Sequence, residues 1–316
     1  MSRALVFPGQ GSQAVGMGKA LAAAHREARA VFDEVDDALA QPLSALMFEG
    51  PLDELTLTAN AQPALMATSL AALRVLEAEA GLDVARDVAF LAGHSLGEYS
   101  ALAAAGALSI ADTARLLRIR GDAMQAAVPV GEGAMAALIG IEVEGAREIA
   151  AEAAEGQVCD VANDNGGGQV VVSGHKPAVE RAVAIAQGRG VKRAVMLPVS
   201  APFHCALMAP AAEAMRAALA EVAVSAPKAP VVANVTAAPV SDPHAIRAAL
   251  VAQVTGTVRW RESVAFMADA GVTSFVEVGA GKVLSGLVKR IAAGSATQAV
   301  GTPEDVGAFV AAFQRG

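Results

Sequence analysis

Residues 87–108, DVAFLAGHSLGEYSALAAAGAL, restrict the fold more than any other part of the chain. An apolar run is followed by a glycine-punctuated turn and then by an alanine-rich stretch without proline. A strand passing through a tight turn into a helix is the βα half of a parallel-sheet unit, so an α/β fold is expected. SFVEVGAGKVL, beginning at Ser274, repeats the same cadence. The start, RALVFPGQGSQ, is a short apolar run stopped by Pro8 and reads as a strand entering a loop. Helical patterns are expected over residues 19–39, 62–80, 110–127 and 206–220 and near Ile246 and Ser263, with a further strand over residues 231–234.

Between residues 133 and 199 the rhythm changes. Strand patterns at residues 133–140, 157–161, 169–173 and 191–197 alternate with helical patterns at 143–154 and 176–187. The order β-α-β-β-α-β is that of a ferredoxin-like unit. The expected division is therefore a discontinuous catalytic domain, residues 1–129 and 198–316, interrupted by a subdomain at 130–197.

Composition removes several classes of function. The 316 residues carry 24 Lys+Arg against 32 Asp+Glu, a formal charge of −8, which argues against nucleic acid as a partner. With aromatics at only 3%, a base-stacking platform is also not expected. Hydrophobic types reach 54%, enough to offset ordering entropy by burial. Residues 194–212 contain no Asp, Glu, Lys or Arg, but Pro198, Pro202 and Pro210 would break a spanning helix. No membrane anchor is expected, and the chain reads as cytoplasmic. Cys159 and Cys205 suggest buried thiols, because two cysteines at this spacing form neither a disulfide framework nor a metal-ligand set.

Gly93-His94-Ser95-Leu96-Gly97 is a G-x-S-x-G turn after a strand and before a helix. A nucleophile on such a turn needs a strained backbone, and flanking glycines leave room for it. The helix N-terminus then offers N–H groups to a developing oxyanion. The plain alternative is an ordinary βα turn that contains a serine. Serine needs a base, and of the five histidines His204 is the best placed, in the proline-shaped PVSAPFHCALM. Taken alone, His204 reads equally well as a core histidine with its hydrogen bonds satisfied. GQGSQ followed by Ala14 also fits a weak dinucleotide fingerprint, opposed by Pro8 and by the lack of a second strand ending in an acid. The competing reading makes the loop a wall of the serine's pocket, with the Gln10 N–H as an oxyanion donor.

GQGSQ, GHSLGEYSAL, RIRGDAMQ, NDNGGGQVVVSG, SAPFHCALM and EVGAGKVL occur in this order over nearly the whole chain. Together they resemble the malonyl-CoA:acyl carrier protein transacylase family of bacterial type II fatty acid synthesis. The resemblance implies an α/β-hydrolase-like core with an inserted ferredoxin-like subdomain, a monomer, no metal and no bound cofactor. It makes Ser95 the nucleophile and His204 its base, with Gln10 and Leu96 N–H groups as the oxyanion hole. Gln253 would orient His204 through its carbonyl, and Arg120 would hold the malonyl carboxylate. A planar, permanently charged fork suits that carboxylate, although Arg120 alone reads like the helix-surface Arg115 and Arg118. His94, Asn165 and Phe203 would complete the substrate pocket, the bulk of Phe203 leaving no room for an α-methyl branch. Two departures stand out, Gly166-Gly167-Gly168 in place of a Ser-Pro loop and Thr257 in place of a proline. Malonyl-CoA and acidic acyl carrier protein are the implied partners. The carrier would meet a basic rim drawn from Arg189, Lys192, Arg193, Lys282, Lys289 and Arg290. A serine hydrolase with Asp112, Asp122, Asp160 or Asp164 as third member is the rival enzyme; an inert carrier-binding scaffold is the non-enzymatic alternative.

Overall fold

The computed structural model describes residues 2–314. Its strands are β1 (Arg3–Phe7), β2 (Phe90–Gly93), β3 (Gly133–Ile139), β4 (Cys159–Asp164), β5 (Gln169–His175), β6 (Arg193–Met196), β7 (Val231–Ala233), β8 (Ala238–Val240), β9 (Ser274–Val278) and β10 (Ala296–Val300). The larger sheet has the order β10-β9-β1-β2-β7-β8, parallel except where β8 turns back on β7. Its central strands read as unbroken apolar runs because helices cover both faces: Ala4 to Phe7 are fully buried. Helix Thr58–Ala80 is apolar almost all round and is correspondingly a core helix.

The second sheet is antiparallel, in the order β4-β5-β3-β6, with helices Val143–Ala154 and Lys176–Gly188 packed on it around a separate cluster of buried residues. This is the expected ferredoxin-like arrangement. Stitches to the larger sheet come from the 257–259 stretch. Thr257 Oγ1 donates to Val161 O at 2.6 Å, and Val258 N donates to Ala162 O at 2.8 Å. Thr257, one of the two departures, thus supplies a hydrogen bond that proline cannot donate.

Several local expectations need correction. The pattern over residues 19–39 is two helices, Lys19–Ala24 and Arg26–Leu39, because His25 is extended at φ −131° and ψ 123°. The strand expected over 157–161 runs Cys159–Asp164, where a bulge between Val161 and Asn163 carries pairing into residues read as loop. Gly166, Gly167 and Gly168 all have positive φ, a path that Ser-Pro could not follow. Helices Leu43–Glu49 and Pro303–Phe313 and strands β8 and β10 lie outside the patterns expected from the sequence. No dinucleotide loop forms after β1, since the next helix starts only at Lys19.

The turn after β2 shows why glycine brackets Ser95. A Cβ on Gly93 would lie 1.9 Å from the carbonyl carbon of Gly97, and one on Gly97 would lie 2.3 Å from Phe7 O. Both obstacles are backbone, so neither can rotate away. Gly97→Ala is therefore expected to destabilise the fold by about 3 kcal/mol, read as a lower urea midpoint at unchanged slope.

Candidate active site

Ser95 and Gln10 lie just beyond the carboxyl ends of β2 and β1, where open α/β sheets place their ligand crevices. Ser95 itself has φ 54° and ψ −111°, a strained conformation for a residue with a Cβ. Asn234, one residue past β7, holds the turn in place. Its Oδ1 accepts from Ser95 N at 2.8 Å, and its Nδ2 donates to Gly93 O at 2.7 Å.

A cavity of about 400 Å³ opens over the serine, lined from the larger sheet's side by Gln10, Gln62, His94, Ser95, Leu96, Arg120 and Met124. From the antiparallel sheet and its exit come Met135, Asn163, Leu197 and Val199, followed by Phe203 and His204. The cavity thus lies between the two sheets.

Ser95 Oγ is 2.7 Å from His204 Nε2, and His204 Nδ1 is 2.9 Å from the Gln253 carbonyl. A carbonyl only accepts, so the proton sits on Nδ1 and Nε2 faces Ser95 as an acceptor. Burial, helped by the positive charge of Arg120, pushes the His204 pKa down to about 3. The ring is therefore neutral at any physiological pH, with Nε2 unprotonated and facing Ser95. None of Asp112, Asp122, Asp160 and Asp164 bonds to His204. Asp160 accepts from Ala206 N and Asp164 from Arg261, which separates this site from a Ser-His-Asp hydrolase.

Arg120 is 1% exposed, unlike Arg115 and Arg118 on the same helix Ile110–Ala126. Nη1 donates to Gln62 Oε1 at 2.7 Å, and Nη2 donates to Gln253 Oε1 at 2.8 Å and to Ser95 Oγ at 3.0 Å. All three acceptors are neutral. Its Nε is buried and has no hydrogen-bond partner. A buried guanidinium whose hydrogen bonds all go to neutral oxygens, with the Tyr99 ring 5.6 Å from its Cζ, is suited to receive a carboxylate beside the nucleophile.

Leu96 opens the helix Leu96–Ala104, so its N–H has no partner within the helix. Neither that N–H nor the N–H of Gln10 makes a hydrogen bond within the described residues. The Gln10 side chain is fixed by Thr58, whose Oγ1 donates to Oε1 at 2.9 Å.

His94 lines the cavity, and Asn165 stands behind it, its Oδ1 2.9 Å from His94 Nε2. Asn163 is the asparagine of that stretch that faces the cavity. Burial pulls the His94 pKa below its ordinary value, so this ring also stays neutral. Both cysteines are buried, which pushes their pKa values up to about 11 and keeps thiolate scarce.

Sequence reasoning passed over Gln62, Asn234 and Glu98. Asn234 had a readable signal, a polar residue directly after a buried strand; Glu98 had another, a lone acid in an alanine-rich helix. Gln62 had none, because its partner Arg120 lies 58 positions away.

The rim residues divide. Arg189 is paired with Glu148 and Glu152 of the helix beside it. Lys192, Arg193, Lys282, Lys289 and Arg290 are exposed and make no salt bridge among the described residues. Gly281, next to Lys282, lies against Ser12 in the loop that also carries the cavity-lining Gln10 and Gln13.

Residues 4–315 match the acyl transferase domain family. The Malonyl CoA-acyl carrier protein transacylase of Bacillus subtilis is 46% identical over 304 residues, 96% of this chain and 94% of the relative. The acyl-carrier-protein-S-malonyltransferase of Bartonella henselae superposes with TM-score 0.97 at 57% identity, covering 99% of this chain and 100% of that one. A malonyl-transacylase in complex with its type II PKS acyl-carrier protein superposes with TM-score 0.95 at 42% identity, covering 100% of both chains. With an elbow serine bonded to a neutral histidine and a buried arginine beside both, the chain belongs to the acyl transferase family, among its malonyl CoA-acyl carrier protein transacylases.

Proposed function

We propose that this enzyme moves malonyl from malonyl-CoA to the phosphopantetheine thiol of acyl carrier protein through a malonyl ester on Ser95, supplying fatty acid elongation. The observation that carries the reading is that Ser95 Oγ lies 2.7 Å from His204 Nε2 and 3.0 Å from Arg120 Nη2. One oxygen thus has both a base and a carboxylate-seeking group in contact with it.

His204 takes the Ser95 proton as Oγ attacks the thioester carbonyl. The N–H groups of Leu96 and Gln10 receive the oxyanion of the tetrahedral adduct. As the adduct collapses, the imidazolium gives its proton to the CoA sulfur. Repetition with the carrier thiol, deprotonated by His204, returns the serine. His204 relies on a neutral carbonyl rather than a carboxylate, so its imidazolium is short-lived and is stabilised by the adduct's own negative charge. Arg120 holds the malonyl carboxylate, while His94, braced by Asn165, and Phe203 wall the acyl group. Every bond and proton is accounted for by these groups, so we assign no metal or prosthetic group a step.

Residues 130–197 are read as the inserted unit on the 1–129 and 198–316 body. Met135 and Asn163 of that unit wall the cavity. No helix among the described residues is long and apolar enough to cross a membrane; a cytoplasmic site of action is proposed because both proposed substrates, malonyl-CoA and acyl carrier protein, serve fatty acid elongation.

Offered malonyl-, methylmalonyl- and acetyl-CoA together, the enzyme should carry almost only malonyl when its intact mass is read. A dominant acetyl ester would contradict the assignment of Arg120, and a dominant methylmalonyl ester that of Phe203. Carrier docking is tested separately. Reversing Lys282, Lys289 and Arg290 to glutamate should raise the KM for acyl carrier protein about tenfold at low salt and less at high salt. The half-reaction with malonyl-CoA should be untouched; an unchanged carrier KM would remove these residues from the rim.

A further inference from the structure

Glu98 is bonded into the network around Ser95, yet the transfer chemistry does not use it. It lies in the first turn of helix Leu96–Ala104, 1% exposed. Its Oε2 accepts from Asn234 N at 2.9 Å and from Gln253 Nε2 at 2.8 Å. The other end of that Gln253 amide, Oε1, accepts from Arg120 Nη2. An ionised carboxylate only accepts, so it fixes which way the amide faces: NH2 toward Glu98 and Ser95 O, carbonyl toward the guanidinium. Arg120 has no carboxylate of its own in hydrogen-bond contact. In the empty site, therefore, the buried cation is balanced across a single amide by Glu98.

A carboxylate seated on Arg120 would put a second anion beside one cation where Arg120 and Glu98 are both buried, and there like charges oppose each other's ionisation. We propose that Glu98 is a specificity-determining positioning residue: it balances and orients Arg120 through Gln253 while the site is empty, and takes up a proton when a carboxylate-bearing acyl group binds. The inference rests on the roles of Ser95 and Arg120 proposed above.

Burial already pushes the Glu98 carboxyl up to about 7, against the opposing effects of the Asn234 and Gln253 hydrogen bonds and the Arg120 charge. The charged and titratable groups facing it are Arg120 from helix Ile110–Ala126 and Tyr99 from its own helix; burial keeps Tyr99 protonated. Asn234 and Gln253 are neutral, and so is His204 on the Gln253 carbonyl. Above the free-enzyme value Glu98 is charged, and binding must then draw a proton from solution. The malonyl carboxylate stays ionised throughout that range. Acyl transfer is itself proton-neutral, since the Ser95 proton leaves on the CoA thiol; the extra proton comes from the buffer.

The direct experiment mixes wild-type enzyme with malonyl-CoA or acetyl-CoA in weak buffer near about pH 8, with an indicator dye. Malonyl-CoA should consume a proton that acetyl-CoA does not, approaching about one per site. Equal proton changes for the two would overturn the proposal. The intact mass from the same mixture keeps the two questions apart: absence of a malonyl adduct would fault the proposed function, whereas an adduct without uptake would fault Glu98. In steady state, the malonyl-to-acetyl KM ratio should climb by up to about tenfold per pH unit above about pH 7 and be flat in Glu98→Gln. A slope retained in that variant would also overturn the proposal.

Discussion

His204→Ala is expected to slow acylation of Ser95 by malonyl-CoA about 10³- to 10⁴-fold in rapid-quench measurements, with the fold intact. The loss follows from geometry. Ser95 Oγ has one basic atom within reach, His204 Nε2, and its other neighbour, Arg120, donates rather than accepts. Without the imidazole, the alkoxide must form unaided beside a hydrogen-bond donor. The same geometry fixes the pH dependence. Because burial and Arg120 hold the imidazole pKa near about 3, the acylation rate should not fall as pH drops through about 6.5, the ordinary histidine value. A rate that halves near that ordinary value would place His204 in a wetter site.

Arg120→Ala is expected to lower kcat/KM for malonyl-CoA by about 10² to 10³, equivalent to about 3–4 kcal/mol, while acetyl-CoA loses little. The substrate carboxylate would lose the cationic partner that Arg120 offers in a cavity lined by the neutral Gln62, Met124 and Phe203. Acetyl has nothing to lose there, so the variant should approach indifference between the two acyl groups. Lysine should not restore selectivity, because Nη1 and Nη2 are held at separate points by Gln62 and Gln253 and a single ammonium cannot span both. Equal losses for malonyl and acetyl would refute the clamp.

What could be read from the sequence follows the distance over which each feature is encoded. The elbow was legible because five consecutive residues carry it, and the backbone contacts of Gly93 and Gly97 give those letters a steric cause. The ferredoxin-like unit was legible from the order of its strands and helices, while the bulge in β4 blurred where one strand ended. His204 was a candidate from its proline-shaped stretch, even with a core histidine until the family resemblance made it the base, whereas Arg120 was identified through the resemblance alone. On residue physics alone, Arg120 reads as a surface arginine, since its burial depends on packing against Thr58–Ala80, a helix far away in sequence. Gln253 was expected to act through its carbonyl, and no local pattern foretold that its side chain would join Arg120, Ser95 and Glu98. Asn165 illustrates the reverse. A bulged strand turns Asn163 to the cavity and leaves Asn165 supporting it through His94.

The central claim is that Ser95 carries the acyl group between two thiols. Its most direct test is the intact mass of the enzyme after mixing with malonyl-CoA alone, followed by peptide mapping. The expected result is one malonyl increment on Ser95, discharged by the carrier thiol and absent in Ser95→Ala. No increment, or one that survives Ser95→Ala, would contradict it.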